Sequence, residues 1–210
     1  TLNINEYYGQ RNTLPSIDID YDGDTVVLCD PQELEGIGQL KIYRLDTTTN
    51  KYLSIDGDLI RGSYSIFNYR VRVGPDVSIS DDGEIVAVSE REPTSSIYFG
   101  GNVLVYKRNS STEIWEQLGV KLSQQTGRYA RINTFGEKIC LSSNGLRLIV
   151  LVLDTDNNYY STSESVKTKI NVYDYQDSSW VKTESNFWTQ SANNWDPVNK
   201  KLTSYLKNPE

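Results

Sequence analysis

The sequence predicts an all-β fold, and three observations support that prediction. Tyr occurs 15 times in 210 residues and 14 Gly are spread along the chain, which together favour strands and tight turns over helices. Short apolar stretches follow Asp-Gly or Asn-Gly pairs, the strongest short-range signal of a β-hairpin. One segment also occurs three times, with its glycine at positions 23, 83 and 145. The spacings of 60 and 62 residues indicate a repeated structural unit.

Each repeat supplies four short strands. The first ends at the glycine-containing hairpin, the second is apolar, the third follows a longer loop of variable length, and the fourth opens with an aromatic residue. In the three repeats, strand two begins at Val26, Val86 and Leu148, strand three follows Gly38, Gly101 and Thr168, and strand four opens with Tyr52, Trp115 and Trp180.

Four antiparallel strands repeated about every 62 residues predict the blades of a β-propeller. A β-sandwich needs no such internal repetition, and other all-β layouts remain the alternative. The predicted boundaries are residues 14–69, 70–134 and 135–185 for three blades, 1–13 for an outer strand of a preceding blade, and 186–210 for a tail or cap. Propellers close with about four to eight blades. We therefore expect this chain to be part of a larger propeller or to complete its ring with another chain.

The repeated segments resemble the FG-GAP-like, integrin-type repeats of bacterial, viral and protist β-propellers. The resemblance covers residues 14–183 and rests on Phe135-Gly136, Ser80-Asp-Asp-Gly83, Val103-Leu-Val-Tyr106 and Trp115. It implies a role in adhesion or assembly and, by analogy, an extracellular, cell-surface or virion location, although the residues themselves indicate no compartment. The second repeat has Val73-Gly74 in place of Phe-Gly and the first lacks the step. No repeat keeps the acidic loop that binds calcium in integrin-type blades.

The acidic residues of the first hairpin, Asp18, Asp20 and Asp22, resemble part of a calcium-binding loop. Ser78 and Cys140 replace Asp18 in the other repeats, so a structural turn is the favoured interpretation. Alternation along a strand places Asp18 and Asp20 on one face and the intervening isoleucines on the other. Asp154, Asp156 and Asn158 form a second acidic cluster in a predicted loop, again favoured as loop chemistry. No cofactor or metal residue is predicted, and calcium remains an alternative.

Composition argues against several functions. The sequence contains no His, which excludes the usual catalytic triads and most zinc sites, so we do not predict an enzyme. A carboxylate pair of the glycosidase type remains the third alternative. The net charge of −7 disfavours nucleic acid as a partner. No apolar run approaches the roughly 20 residues that cross a bilayer, so membrane insertion is not predicted.

Six aromatic residues outside the repeated positions are the predicted interface. They are assigned to loops between strands two and three and to the tail, where exposed aromatic side chains mark protein interfaces. They are Tyr98, Phe99, Tyr159, Tyr160, Trp188 and Trp195. The sequence thus predicts a non-catalytic structural or protein-interaction module that binds other chains of a large assembly, such as a virion or cell-surface particle. The alternative is a carbohydrate- or calcium-dependent adhesion domain, with a glycan as partner.

Overall fold

The computed structural model describes residues 15–30, 38–55, 63–64, 70–95, 98–124, 134–155 and 166–189, which form strands and turns with no helix among them. The prediction of an all-β fold is confirmed. These residues form three antiparallel sheets whose strands follow chain order. No described segment is therefore a helix long and apolar enough to cross a membrane.

The first sheet is a four-stranded meander. Its strands are β1 (Ser16–Ile19), β2 (Thr25–Asp30), β3 (Gln39–Asp46) and β4 (Lys51–Ser54). Successive strands pair in the order β1-β2-β3-β4. Tyr52 lies on the last strand, as the repeat pattern predicts.

The second sheet contains the same meander with its fourth strand in two pieces. Its strands are β5 (Ser63–Tyr64), β6 (Arg70–Ile79), β7 (Ile85–Ser95), β8 (Tyr98–Arg108), β9 (Trp115–Gln117) and β10 (Leu122–Gln124). Both β9 and β10 pair with β8, and between them Leu118 N donates to Val105 O at 2.7 Å. The two pieces thus fill one strand position, while β5 pairs with β6 at the other edge.

The third sheet is again four-stranded. Its strands are β11 (Thr134–Leu141), β12 (Arg147–Thr155), β13 (Val166–Gln176) and β14 (Ser179–Thr189), paired in that order. The last strand extends through Thr189, so Trp188 lies on β14, opposite Thr168, rather than in a separate tail.

The hairpins that join β1 to β2, β6 to β7 and β11 to β12 have the predicted glycine turns. Gly23, Gly83 and Gly145 adopt φ values of 78°, 69° and 69°, a region that glycine enters without steric cost. In the second turn the Ser80 hydroxyl accepts from Ile85 N at 3.0 Å. The Ser142 hydroxyl accepts equivalently from Arg147 N at 3.0 Å, so the turn chemistry repeats.

The second repeat differs from prediction between its second and third strands. Sequence analysis assigned Tyr98 and Phe99 to a long loop, but β7 continues to Ser95 and β8 begins at Tyr98, which pair with each other. The register shifts between Pro93 and Ser95, and such a bulge accommodates a residue that cannot donate a ladder hydrogen bond.

The three sheets stack face to face, with the second sheet between the other two. Each sheet has a front face, toward the preceding sheet in chain order, and a back face, toward the following one. The first core joins the back of the first sheet (Val27, Cys29, Leu40, Ile42) to the front of the second (Val77, Ile79, Val86, Val88, Leu104, Trp115). The second core joins the back of the second (Ile85, Ala87, Val103, Val105, Leu122) to the front of the third (Phe135, Ile139, Leu141, Leu148, Val150, Val152, Tyr173, Trp180).

Candidate functional site: the outer faces of the first and third sheets

The contact between the first and second sheets is built from the same repeat positions as the contact between the second and third. Tyr21 N donates to Asp81 O at 3.2 Å, and Asp81 N donates to Ser143 O at 2.9 Å. These three residues are two positions before the glycines at 23, 83 and 145. One backbone hydrogen bond therefore recurs from sheet to sheet.

A side-chain hydrogen bond recurs in the same way. Ile79 N of the second sheet donates to Asp18 Oδ2 of the first at 3.0 Å, and Leu141 N of the third donates to Ser78 Oγ of the second at 3.1 Å. Asp18 and Ser78 are equivalent in the repeat, and Cys140 is their equivalent in the third sheet. The carboxylate that resembled a calcium ligand instead accepts from the next sheet.

The hairpin glycines Gly83 and Gly145 lie at close approaches between sheets. A Cβ added to Gly83 would lie 2.6 Å from Thr25 Oγ1, and one added to Gly145 would lie 2.7 Å from Ile85 Cδ1. Thr25 and Ile85 are equivalent positions on the preceding sheets. At Gly23 the nearest atom among the described residues is its own sheet's Ile19 Cδ1, at 3.8 Å, so no other described sheet crowds this position.

Charged pairs also join neighbouring sheets. Arg44 Nη2 of the first sheet lies 2.9 Å from Glu84 Oε1 of the second. Between the second and third sheets, Asp76 accepts from Lys138 Nζ and from Ile139 N, both at 2.8 Å. Burial raises the pKa of Asp76 above its ordinary value, and the two donors offset this in part.

The front face of the first sheet carries apolar side chains at positions that the other two sheets bury. Ile17 and Ile19 are 68% and 48% exposed, whereas their equivalents in the second and third sheets are buried. Tyr52 is 45% exposed, whereas Trp115 and Trp180 are buried. The front face also includes Val26, Leu28 and Tyr43, which are half-buried.

The back face of the third sheet also carries apolar side chains, at positions that the second sheet buries. Ile149, Ile170 and Val172 are half-buried, and their equivalents in the second sheet are buried in the core. Cys140 and Leu151 lie on the same face and are also half-buried. At its hairpin end, Arg147 Nε and Nη2 contact the two oxygens of Asp174 at 2.6 and 3.0 Å, and this pair lowers the pKa of Asp174.

The predicted interface residues are not brought together among the described residues. Tyr98 and Phe99 lie at the start of β8 and Trp188 lies near the end of β14, with only their backbones described. Tyr159, Tyr160 and Trp195 lie outside the described residues. Sequence analysis missed Ile17, Ile19 and Tyr52 as interface candidates. The repeat alignment contained the signal, because it equates them with apolar residues that later repeats bury.

The arrangement of the first hairpin bears on metal binding. Asp18 accepts from the second sheet, and Asp20 is buried with Oδ2 2.7 Å from the Cβ position of Gly83, so the two acids share the back face as predicted. Over the described ranges, no group of three or more acidic, Cys or His residues is positioned to hold a metal ion. Asp156 and Asn158 fall outside those ranges, and the side chain of Asp154 is not described.

Comparison with known proteins gives no relative. Neither a scan against protein-family models nor a search of curated proteins matches this chain. The resemblance to FG-GAP-like repeats therefore stays a prediction from the repeated segments, and function must be argued from the faces themselves.

Proposed function

We propose that the three sheets are consecutive blades of a β-propeller and that the chain is a non-catalytic module that binds protein through its outer sheet faces. The observation that carries this proposal is the repeated inter-sheet contact. Two successive contacts use equivalent residues, as propeller blades do around their axis. The front-face residues of this contact have exposed equivalents on the first sheet, and its back-face residues have half-buried equivalents on the third sheet.

The chemistry of these faces favours protein as the partner. They carry branched aliphatic and aromatic side chains, and contiguous apolar surface of this kind marks protein interaction sites. A propeller blade packs against its neighbours through both faces, so the natural occupant of such a face is another β-sheet. This shifts the expected interface from the loops and tail to the sheet faces.

Light scattering on the 210-residue chain, with calcium and then with a chelator, tests the proposed function. We expect an associated species whose mass is the same under both conditions, because the contacts are apolar and backbone-mediated. A folded monomer in both conditions would contradict the interaction module. Association that requires calcium would instead support the adhesion alternative.

A further inference from the structure

We propose that the partner is a second copy of this chain, with the back of the third sheet of one copy packed on the front of the first sheet of the other. This inference rests on the proposed function. The chain itself supplies the template for this contact. The contact between copies would repeat, for a third time, the arrangement that joins the first sheet to the second and the second sheet to the third. Two such head-to-tail contacts, related by a two-fold axis, close a ring.

The glycine positions show how the two faces fit. In the two internal contacts Thr25, at the start of β2, and Ile85, at the start of β7, occupy the space beside a hairpin glycine of the following sheet. At the outer faces the corresponding pair is Arg147 of one copy and Gly23 of the other. Gly23 has the same left-handed backbone as Gly83, and among the described residues its Cβ position would meet only Ile19 Cδ1 of its own sheet, at 3.8 Å.

The apolar surfaces match in the same register. The core residues Ala87, Val103 and Val105 occupy the back of the second sheet, and their equivalents on the third are the larger or equal Ile149, Ile170 and Val172. The front of the second sheet packs Val77 and Ile79 into the first core, and the first sheet offers Ile17 and Ile19 there. Each outer face thus carries the side-chain type that its counterpart buries within the chain.

Charged residues lie at the hairpin end of both outer faces. In the first contact Arg44, on the back face, meets Glu84 on the facing front. The front of the first sheet has Asp24 at the equivalent of Glu84. On the back of the third sheet Asp174 stands at the Arg44 position, and Arg147, the equivalent of Thr25, contacts both oxygens of Asp174 at 2.6 and 3.0 Å. The contact between copies would therefore bring an ion-paired Arg147 and Asp174, rather than a single cation, to the corner that Asp24 occupies.

The number of sheets limits the ring to two copies. The described residues of two chains bring six sheets, which is within the range of about four to eight blades that closed propellers use, whereas three chains would bring nine. The expected assembly is therefore a two-chain ring with a mass about twice the 23.9 kDa of one chain.

Face-specific variants test this arrangement by light scattering and dilution. Ile17→Asp blocks the front face and Ile149→Asp blocks the back face, and each should raise the self-association Kd at least tenfold. Val120→Asp is the matched control, because Val120 is 69% exposed on a turn between β9 and β10, away from both faces, and it should leave the Kd unchanged. Circular dichroism checks that each variant folds. If Ile149→Asp fails that check, Arg147→Asp replaces it, since Arg147 is exposed.

An equimolar mixture of the two blocked variants gives the decisive result. One intact contact remains between the unblocked back of one variant and the unblocked front of the other, so the mixture should associate into pairs although neither variant does alone. If the Ile149→Asp variant associates with copies of itself, the contact is front to front and the proposal is overturned. A wild-type mass other than two chains, or association that survives Ile17→Asp, would overturn it while leaving the interaction module standing. A wild-type monomer would refute both.

Discussion

Gly83 lies at a close approach between the first and second sheets. Its Cβ position is 2.6 Å from Thr25 Oγ1, and its φ is 69°. Gly23 has a φ of 78°, and among the described residues only Ile19 lies near its Cβ position, at 3.8 Å. Both glycines therefore have a left-handed backbone. Among the described residues, only Gly83 has atoms of a neighbouring sheet close to its Cβ position.

Replacement of each glycine by alanine separates these effects. Both Gly23→Ala and Gly83→Ala should lose about 1–2 kcal/mol of unfolding free energy because alanine is strained in the left-handed region. Gly83→Ala should lose a further 1–3 kcal/mol, roughly the cost of overpacking, because the buried side chains of Thr25 and Asp20 must shift. Urea unfolding, at a dilution where light scattering shows single chains, measures the difference. Equal losses would contradict the close contact between the sheets.

Asp76 should make the stability depend on pH in the opposite sense to an ordinary surface carboxylate. Its pKa is raised, chiefly by burial, so the folded chain holds this proton more tightly than the unfolded chain. The contribution of this proton to the free energy of unfolding is present below the unfolded-state pKa of about 3.9 and is lost as the pH rises through the folded-state pKa. The unfolding free energy of the wild type minus that of Asp76→Asn should therefore fall as the pH rises from about 4 to about 7.

Asp46 is the control for this prediction. Hydrogen bonds from Thr49 and Thr48 lower the pKa of this exposed carboxyl, so its contribution is present above its unfolded-state pKa and lost as the pH falls. The unfolding free energy of the wild type minus that of Asp46→Asn should accordingly rise as the pH rises through the unfolded-state pKa of about 3.9, and it should stay nearly constant from about pH 5 to about pH 7. Urea unfolding curves at several pH values measure both, and a difference at Asp76 that grows with pH would refute the assignment.

Residue-scale sequence reasoning succeeded where the signal is local. The Asp-Gly and Asn-Gly turns were predicted because the left-handed glycine needs only its immediate neighbours. The role of Asp18 was not predicted. Its partner Ile79 N is 61 residues away and is a backbone group, which leaves no mark in the side-chain sequence.

At the level of elements, the fourth strand joins neighbouring sheets as well as its own. Trp180 of β14 is buried, and its Nε1 donates to Leu118 O, between β9 and β10, at 2.8 Å. The equivalent Trp115 is also buried, but its Nε1 has no acceptor among the described residues. The two tryptophans therefore differ in this hydrogen bond.

Trp180→Phe should destabilise the chain more than Trp115→Phe. Both substitutions remove similar apolar volume, but only the first loses an inter-sheet hydrogen bond, worth about 0.5–1.5 kcal/mol. Thermal unfolding monitored by circular dichroism compares the two variants under one condition. A Trp115→Phe variant that is the less stable of the pair would contradict this role of the Trp180 indole.

Strand order was predictable from the sequence, while strand length was not. The period-2 patterns and the aromatic that opens each fourth strand indicated the meander. A long loop was predicted between strands two and three of the second repeat, yet a bulge at Pro93 lets β7 and β8 pair as far as Ser95 and Tyr98. Whether a proline ends a strand or sits at a bulge depends on the register of the neighbouring strand, and that is a long-range property.

At the scale of the whole molecule, the repeat in the sequence predicted three equivalent units. The two contacts between the three described sheets use equivalent residues. The sequence predicted that further blades or another chain complete the ring, but it assigned the interface aromatics to loops and the tail. Ile17 and Ile19 look like ordinary strand residues until the stacking order shows that no preceding described sheet covers them. A second copy is therefore expected to repeat the contact.

A disulfide between copies tests that prediction most directly. Asp18 Oδ2 lies 3.3 Å from the equivalent Ser78 Oγ of the next sheet, so in the two-copy ring residue 18 of one chain would face Cys140 of the other. Cys29 should not compete, because it is buried and burial raises its pKa. Mild oxidation of Asp18→Cys should give a covalent dimer on a non-reducing gel, and the same variant with Cys140→Ser should give none. A folded Asp18→Cys chain that associates but does not cross-link would contradict the head-to-tail ring.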